Sequence, residues 1–173
     1  MKISAALLLL SLAACSTVPA PPPGTVMVAP GALFALPPPA ALGRDIEAVQ
    51  LVNARHGADS FTFEGHLSVT RERVLLAGTD GFGQRLMQIT WDGKTVTAQK
   101  ASFLPDGLRP ENVLADVMMI YWPEAEIRNR ISGAALQDLV TIERDDDPWR
   151  GHAHLTNRVW DYEIDVQSSV VAP

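Results

Sequence analysis

Cysteine, histidine and basic residues are scarce in this 173-residue chain. It holds one cysteine, Cys15, and four histidines. A single cysteine cannot form an internal disulfide or a site of several thiolate ligands. The 14 lysines and arginines are outnumbered by 20 acidic residues, which gives a formal net charge of -6. This balance argues against nucleic acid as a partner and against electrostatic docking on anionic lipid.

Catalytic motifs are also lacking. The chain has no Gly-x-Ser-x-Gly nucleophile elbow. Residues 78–83 hold three glycines but no lysine, and a strand pattern rather than a helix follows them, which argues against a phosphate-binding loop. Glu124 and Glu126 lie near Trp122 without a partner that would mark an acid/base pair. We therefore predict a protein that is not an enzyme and uses no cofactor.

Two groups of residues could hold a metal ion. His152 and His154 lie on the same face of a predicted strand, but a third ligand is missing unless the fold brings another histidine close. Residues 145–147 are three aspartates in front of Pro148 and could bind Ca²⁺. A solvated turn explains the aspartates equally well. We predict no metal site.

The longest apolar run lies at the N-terminus and ends in Leu12-Ala13-Ala14-Cys15. It is shorter than the roughly 20 residues of a membrane-spanning helix. Together with Lys2, it predicts a lipoprotein signal peptide over residues 1–14 and acylation of Cys15, with an ordinary secretory signal as the alternative. More than one acyl chain would anchor the protein stably. In similar lipoproteins, an Asp directly after the acylated cysteine favours retention in the inner membrane. This chain has Ser16 at that position, so we expect the protein to be anchored at the periplasmic face of the outer membrane.

Residues 15–40 are dense in proline and hold eight of the thirteen prolines. Such composition favours extended polyproline II structure, so we predict the lipidated Cys15 followed by a linker. A binding motif for a partner is the alternative, but no regular Pro-x-x-Pro repeat with basic flanks is present. Residues 41–173 are predicted to form one folded domain.

Alternation of apolar and polar residues predicts that most of this domain is β-strand. The pattern is clearest over residues 60–70, where the apolar side chains share one face. Gly57-Ala58-Asp59 and Asp92-Gly93 predict hairpin turns, the second with two central residues at positive φ. The predicted strands cover residues 46–54, 60–70, 73–79, 85–91, 95–100, 139–144, 151–155 and 160–167.

Helical spacing is confined to residues 110–131. Pro110 suits the first position of a helix, and apolar residues recur at helical intervals up to Tyr121. Pro123 interrupts this pattern and begins a second short helix, which Gly133 could end. We predict a mainly β (α+β) fold: a curled antiparallel sheet of seven or eight strands, forming an unclosed half-barrel, with a helical insertion covering its concave face.

The inner face of this sheet is rich in Phe, Met and Trp. Because Met adapts to irregular apolar shapes, we predict an apolar ligand-binding cavity. The alternative is that the same side chains pack a dry core, as sheet faces usually do. The predicted lining consists of Phe61, Phe63, Met87, Ile89, Trp91, Val117, Met118, Met119, Trp122, Trp160 and Tyr162.

Three stretches of the chain resemble an uncharacterised family of bacterial lipoproteins whose members are often encoded beside aryl polyene gene clusters. They are VLLAGTDGFGQRL at residues 74–86, the Trp91-Asp92-Gly93 turn, and residues 114–123. The resemblance covers about residues 32–168. The fold of that family is related to LolB, an outer-membrane lipoprotein that receives other lipoproteins and inserts them. It implies a LolA/LolB-like unclosed barrel that is lidded by helices and holds acyl chains.

The resemblance also assigns a role to Phe82. A loop of LolB between two central strands carries an exposed Leu that engages the membrane, and Phe82 matches that position. Members of the uncharacterised family often carry Trp there, so Phe82 departs from their pattern. An aromatic residue between Gly81 and Gly83 indicates a mobile apolar probe on physical grounds as well. The alternative is a ring that folds back onto the edge of the sheet.

These observations predict a non-enzymatic lipoprotein that binds a lipid or acylated ligand, which the resemblance implies it passes to the membrane. The expected partners are that ligand, the outer membrane and a periplasmic lipoprotein carrier. The main alternative is a structural or assembly partner in an envelope or pigment-lipid export complex, with a filled core. An enzyme that uses His152 and His154 is a further alternative.

Overall fold

The computed structural model describes residues 23–171. The predicted signal peptide, Cys15 and Ser16 lie outside these residues. The described part is mainly β and holds the following elements: β1 (Thr25–Ala29), β2 (Ala32–Ala35), β3 (Ile46–His56), β4 (Asp59–Val69), β5 (Val74–Thr79), β6 (Arg85–Trp91), β7 (Val96–Lys100), α1 (Pro110–Tyr121), α2 (Glu124–Arg128), β8 (Ile131–Gly133), β9 (Val140–Arg144), β10 (His152–Asn157) and β11 (Tyr162–Val170). Short 3₁₀ turns cover Pro39–Leu42, Leu136–Asp138 and Pro148–Arg150.

Eight antiparallel strands form the main sheet, in the order β7-β6-β5-β4-β3-β11-β10-β9. Strands β3 to β7 are one meander and β9 to β11 are a second, and the pairing of β11 with β3 joins them. Strands β7 and β9 remain as edges, so the sheet is open over the described residues. The predicted antiparallel sheet of seven or eight strands, with a helical insertion between its two parts, is confirmed.

A second sheet, β1-β2-β8, corrects the linker prediction for residues 15–40 in the part that the structure describes. Residues 25–35 form a hairpin rather than polyproline II, because Pro30-Gly31 makes a two-residue turn between apolar strands. Val28 and Phe34 are buried in the main core. Of the described prolines in this segment, Pro23 precedes β1, Pro30 lies in the turn and Pro37 to Pro39 follow β2, where no ladder hydrogen bond is lost.

The base of the main sheet, defined as the end where β3 begins and β4 ends, is covered on its inner face. Neighbouring residues there form rows across the strands, and both Ile46-Val69-Val74-Trp91 and Ala48-Leu67-Leu76-Ile89 are buried. Residues of helix α1 and of the β1–β2 hairpin pack in one core with this face, and α1 contacts β1. Trp91 Nε1 donates to the carbonyl oxygen of Pro37 at 2.8 Å. The hairpin is therefore part of the covering layer, which the sequence predicted to be helical alone.

Helix α1 begins and ends where prolines dictate. Pro110 occupies its first turn as predicted. The helix stops at Tyr121 because Trp122, which precedes Pro123, is extended at φ -78° and ψ 157°. No helix of the described residues is long and apolar enough to cross a membrane.

Three local predictions were wrong. Asp92-Gly93 is part of a four-residue loop, since Trp91 pairs with Val96 and the Asp92 carboxylate accepts from the N–H groups of residues 94 and 95. Gly133 does not end a helix. It lies in β8, where a Cβ would come within 1.9 Å of the Gly31 carbonyl oxygen. Trp160 precedes the last strand instead of belonging to it.

Candidate functional site

The predicted cavity lining falls into two groups. Six residues are buried and pack into the core at the base and middle of the inner face: Met87, Ile89, Trp91, Met118, Met119 and Trp122. The other five are half-buried or exposed: Phe61, Phe63, Val117, Trp160 and Tyr162. The structure therefore does not bring all eleven residues around one space. The first group belongs to the buried core.

The tip of the β3–β4 hairpin is the less covered part of the inner face. Phe63 pairs with Val52, and Phe61 pairs with Ala54 one row further out. Val52 is buried, Phe63 and Ala54 are half-buried, and Phe61 is 45% exposed. Burial therefore declines row by row from the base to the tip, although the apolar pattern of the strand continues. This gives the tip an accessible apolar surface next to a filled core.

Gly78 lies on the border between these two regions. A Cβ built on Gly78 would lie 3.5 Å from Met87 Cγ and 3.6 Å from Phe63 Cδ2. The ring of Phe63 thus leans over the glycine toward the core. This contact explains why Phe63 is half-buried while Phe61, two residues closer to the hairpin turn, is not.

Helix α1 carries a buried carboxyl group, that of Asp116. The Tyr162 hydroxyl donates to both Asp116 oxygens, at 2.9 Å and 3.1 Å. Burial raises the pKa of Asp116 to about 7, while the hydrogen bond from Tyr162 opposes the shift. Burial, together with the neighbouring Asp116 charge, raises the pKa of Tyr162. The pair joins α1 to the start of β11. Tyr162, which the sequence predicted only as a cavity-lining residue, therefore also holds α1 against the sheet.

Phe82 projects into solvent and is 99% exposed. Hydrogen bonds fix the shape of the loop that carries Phe82, although glycines flank it. The Asp80 side chain accepts hydrogen bonds from the backbone N–H of Phe82 at 2.9 Å and of Gln84 at 2.8 Å. Gly83 has a positive φ of 80°. The ring therefore points outward from a turn with a defined shape.

Other exposed apolar residues lie at the same end of the sheet as Phe82. The strand directions place the β3–β4, β5–β6, β7–α1 and β10–β11 connections together at the tip end. Phe103 in the β7–α1 connection is 60% exposed, and Val159 in the β10–β11 connection is 42% exposed. We call Phe61, Phe82, Phe103 and Val159 the apolar rim. The sequence predicted only Phe61 and Phe82 as functional residues, because Phe103 and Val159 lie in segments without a periodic pattern.

The predicted histidine pair lies on the outer face of the sheet. His152 Nε2 is 2.9 Å and His154 Nδ1 is 3.4 Å from Asp165 Oδ2, so the two rings share one carboxylate across β10 and β11. Two of the three aspartates before Pro148 accept backbone hydrogen bonds: Asp145 from His152 and Asp147 from Trp149. Within residues 23–171, no group of three or more His, Cys, Asp and Glu side chains has the arrangement of a metal site.

Comparison with known proteins identifies a family without identifying an activity. A family model described as a protein of unknown function, DUF3261, matches residues 47–170. The match includes both helices and nearly all of the main sheet, whereas the β1–β2 hairpin lies before it. A search of the curated proteins found no match. Because the matched region is well over half of the chain, this protein belongs to the DUF3261 family.

Proposed function

We propose that this protein is a non-catalytic lipoprotein that binds a lipid or acylated ligand at the tip of its inner face and passes it to a membrane. The observation that carries the proposal is the apolar rim, four large apolar side chains exposed at one end of the sheet. Apolar surface that is exposed together and lies beside polar residues is typical of sites that contact membranes or apolar ligands.

The proposal puts the ligand at the tip rather than within the base. Phe61, Phe63 and Ala54 offer an apolar surface that is open to solvent, and an acyl chain laid on it would gain about 25 cal/mol for each Å² that it buries. The filled base would act as a rigid support for that surface. Contact between the rim and a bilayer would then favour release, so transfer requires no chemical step.

The anchor and the family relationship are parts of the same proposal. Acylation of Cys15 would hold the domain at the periplasmic face of the outer membrane, and a LolA/LolB-like fold accounts for an open antiparallel sheet with helices over one face. Replacement of Cys15 by Ser tests the anchor, because Ser cannot form the thioether. Equal incorporation of labelled palmitate by the wild type and this variant would contradict it.

A second candidate function is favoured by the buried base. Met118 and Trp122 leave none of their side-chain surface to solvent, as expected of a structural or assembly partner in an envelope or pigment-lipid export complex. In that case the apolar rim would contact a protein instead of a lipid. A periplasmic lipoprotein carrier would be a partner under the first candidate function only.

Native mass spectrometry of the full chain purified from cells, with saturable binding of an apolar fluorophore, tests the ligand. We expect a co-purifying lipid, and we expect Phe61→Ser to weaken fluorophore binding. Leu51→Ser is the matched control, because Leu51 is a similarly exposed apolar residue on the outer face of the neighbouring strand β3. Equal loss in both variants, or no saturable binding at micromolar protein, would favour the assembly partner.

A further inference from the structure

The β7 edge of the main sheet lacks the features that normally block a sheet edge. Within residues 23–171, β7 (Val96–Lys100) pairs with β6 alone, and Thr97, Ala98 and Gln99 are exposed. The strand holds no proline, its pairing with β6 has no bulge, and its single charged residue is Lys100. Proteins usually block edge strands with prolines, bulges or charges, because the free N–H and C=O groups there attract a further strand. This edge is therefore open to another strand.

Two other edge strands of the described residues are blocked. Strand β9, at the opposite edge of the main sheet, ends in two charged residues and is followed by three aspartates. Strand β1, at an edge of the second sheet, has carbonyl oxygens that side chains already use. Asn112 Nδ2 donates to the Met27 carbonyl oxygen at 2.8 Å. Asn157 Nδ2 donates to the Val28 carbonyl oxygen at 2.9 Å. The β7 edge differs from both.

The hydrogen-bond pattern between β6 and β7 fixes which backbone groups of β7 point away from the sheet. The Ala101 N–H donates to the carbonyl oxygen of Leu86 at 2.8 Å. Bonded and non-bonded pairs alternate along an antiparallel ladder. Because of this alternation, Val96, Ala98 and Lys100 turn their N–H and C=O groups away from β6. No other backbone hydrogen bond of the described residues involves these groups.

These outward groups are arranged symmetrically about Ala98. In an antiparallel pairing of β7 with β7 of a second copy, centred on this residue, Ala98 lies opposite itself and Val96 lies opposite Lys100. All three outward-turned residues then form bonded pairs. A shift of two residues leaves at least one of them without a partner in β7, and a shift of one residue opposes groups that point the wrong way. The small side chain of Ala98 lets the two strands approach at the centre.

Charge also favours a second copy as the occupant of this edge. The chain has a formal net charge of -6, but residues 93–105 include no acidic residue. In the centred register, Lys100 faces Val96 and Lys94 faces Ser102, so no two like charges lie directly opposite each other. Two copies therefore meet at this edge without the repulsion that their net charge produces elsewhere.

The N-terminal segment of the same chain is a poor alternative occupant. Residues 15–22 include Pro19, Pro21 and Pro22. Proline lacks the N–H that a ladder needs. A second copy, in contrast, supplies a strand with the matching pattern of donors and acceptors.

We propose that the β7 edge is the interface of a symmetric dimer, in which the β7 strands of two copies pair antiparallel about Ala98 and join the two main sheets into one. The proposal is independent of the function proposed for the tip, because the edge backbone and not the apolar rim makes the contact. Since the two strands run in opposite directions, the two rims lie at opposite ends of the joined sheet. One short edge buries less than the roughly 1,600 Å² of a standard interface, so we expect a weak dimer.

The first test is oxidative cross-linking of the full chain in detergent, read by electrophoresis without reductant. The two Cα atoms of a bonded pair are about 5.5 Å apart, within the range of a disulfide. Ala98→Cys should therefore form a disulfide-linked dimer. Thr97→Cys is the matched control on the same strand. Its two copies would be about 8 Å apart in the centred register, so it should cross-link about tenfold less. The wild type measures the background from Cys15.

The second test is sedimentation of the full chain over a range of concentrations that includes the one used for cross-linking. The average mass of the wild type should rise with concentration. Ala98→Pro should abolish this rise, because it removes a donor of the interface. The fold should survive, since that N–H has no partner within one copy. Ala98→Thr, which keeps the N–H, is the matched control and should associate like the wild type. Thermal unfolding checks that both variants are folded.

Three results would overturn the proposal. The first is cross-linking of Thr97→Cys that equals or exceeds that of Ala98→Cys, which would exclude the centred register. The second is a wild type whose mass does not rise with concentration. The third is equal association of the wild type and folded Ala98→Pro, which would place the contact between copies on another surface.

Discussion

The base and the tip of the main sheet share one inner face, but the base is buried and the tip is partly exposed to solvent. At the base, Leu67 and Ile89 are almost fully buried, in the core that also contains residues of α1 and of the β1–β2 hairpin. At the tip, Phe61 continues the same alternation on the same strand as Leu67 and remains 45% exposed. The strand pattern is therefore the same in both regions, and the covering layer decides which residues become core. A ligand site is to be sought where that layer ends.

The largest expected effect comes from truncating matched residues of β4 in the two regions. Leu67→Ala should lower the free energy of unfolding by about 2–5 kcal/mol, because it leaves a cavity in a packed core. Phe61→Ala should lower it by less than about 1 kcal/mol, although it removes more atoms, because the ring is half in solvent already. Urea denaturation of both variants measures the difference. Similar losses would show that the tip is as tightly packed as the base.

Asp116, a buried carboxyl group on α1, gives the stability of the fold a pH dependence. Its folded-state pKa of about 7 lies above the ordinary value of 3.8, so the folded state holds this proton more tightly than the unfolded state. Stability from this group is full below about pH 4, declines as the pH rises to about 7 and is constant above. At about 1.4 kcal/mol for each unit of pKa difference, the total loss is a few kcal/mol.

Asp116→Asn should remove this decline, since an amide does not titrate. The free energy of unfolding of the wild type and of Asp116→Asn is measured between pH 4 and pH 8, and the two values are subtracted at each pH. As the pH rises, the variant should become more stable relative to the wild type. A constant difference would mean that Asp116 titrates normally and that α1 is less tightly closed over β11 than the structure indicates.

Substitutions of Gly78 can locate the border between the packed base and the exposed tip. A single methyl group would meet Met87 and Phe63 at ordinary contact distance, so Gly78→Ala should be nearly neutral. Gly78→Val adds branches that the two neighbours must move to accept, and overpacking of this kind costs about 1–3 kcal/mol. Thermal unfolding of the two variants distinguishes them. If Val is as well tolerated as Ala, Phe63 moves freely and belongs to the tip.

The sequence predicted the sheet better than its cover. Alternation over β4 and β6 identified both strands and their buried faces, because a half-buried strand carries its own local signal. The β1–β2 hairpin was missed because its strands are short and lie between prolines, although Pro30-Gly31 between two apolar runs is a turn signal. No local pattern could show that this segment lies against Trp91.

The same limit applies to the candidate sites. Trp122 was recognised as a large apolar residue, but its place in the packed core depends on the cover above the sheet. The contact between Asp116 and Tyr162 joins residues 46 positions apart, and nothing in the spacing of either residue indicates it. Phe82 could be singled out from sequence because a loop between two clear strands constrains its own position. For these residues, long-range packing is what the sequence left open.

The smallest expected effect on stability belongs to Phe82, at the far end from the base. Its ring is 99% exposed and therefore packs against almost nothing. Phe82→Ala should change the free energy of unfolding by less than about 0.5 kcal/mol. Phe82→Glu should be tolerated equally well, because the turn is held by Asp80 and not by the ring.

Function should nevertheless separate Phe82→Glu from the wild type. A carboxylate is costly to bring into hydrocarbon, so under the proposed function Phe82→Glu keeps fluorophore binding at the tip and loses delivery of the bound ligand to liposomes. Phe82→Gln, which is polar but uncharged, is the matched control and should lose less. Unchanged delivery by Phe82→Glu would remove membrane contact from the role of this loop. A melting temperature several degrees lower for Phe82→Ala would instead place the ring in contact with the sheet, and the comparison between a packed base and an open tip would then need a new boundary.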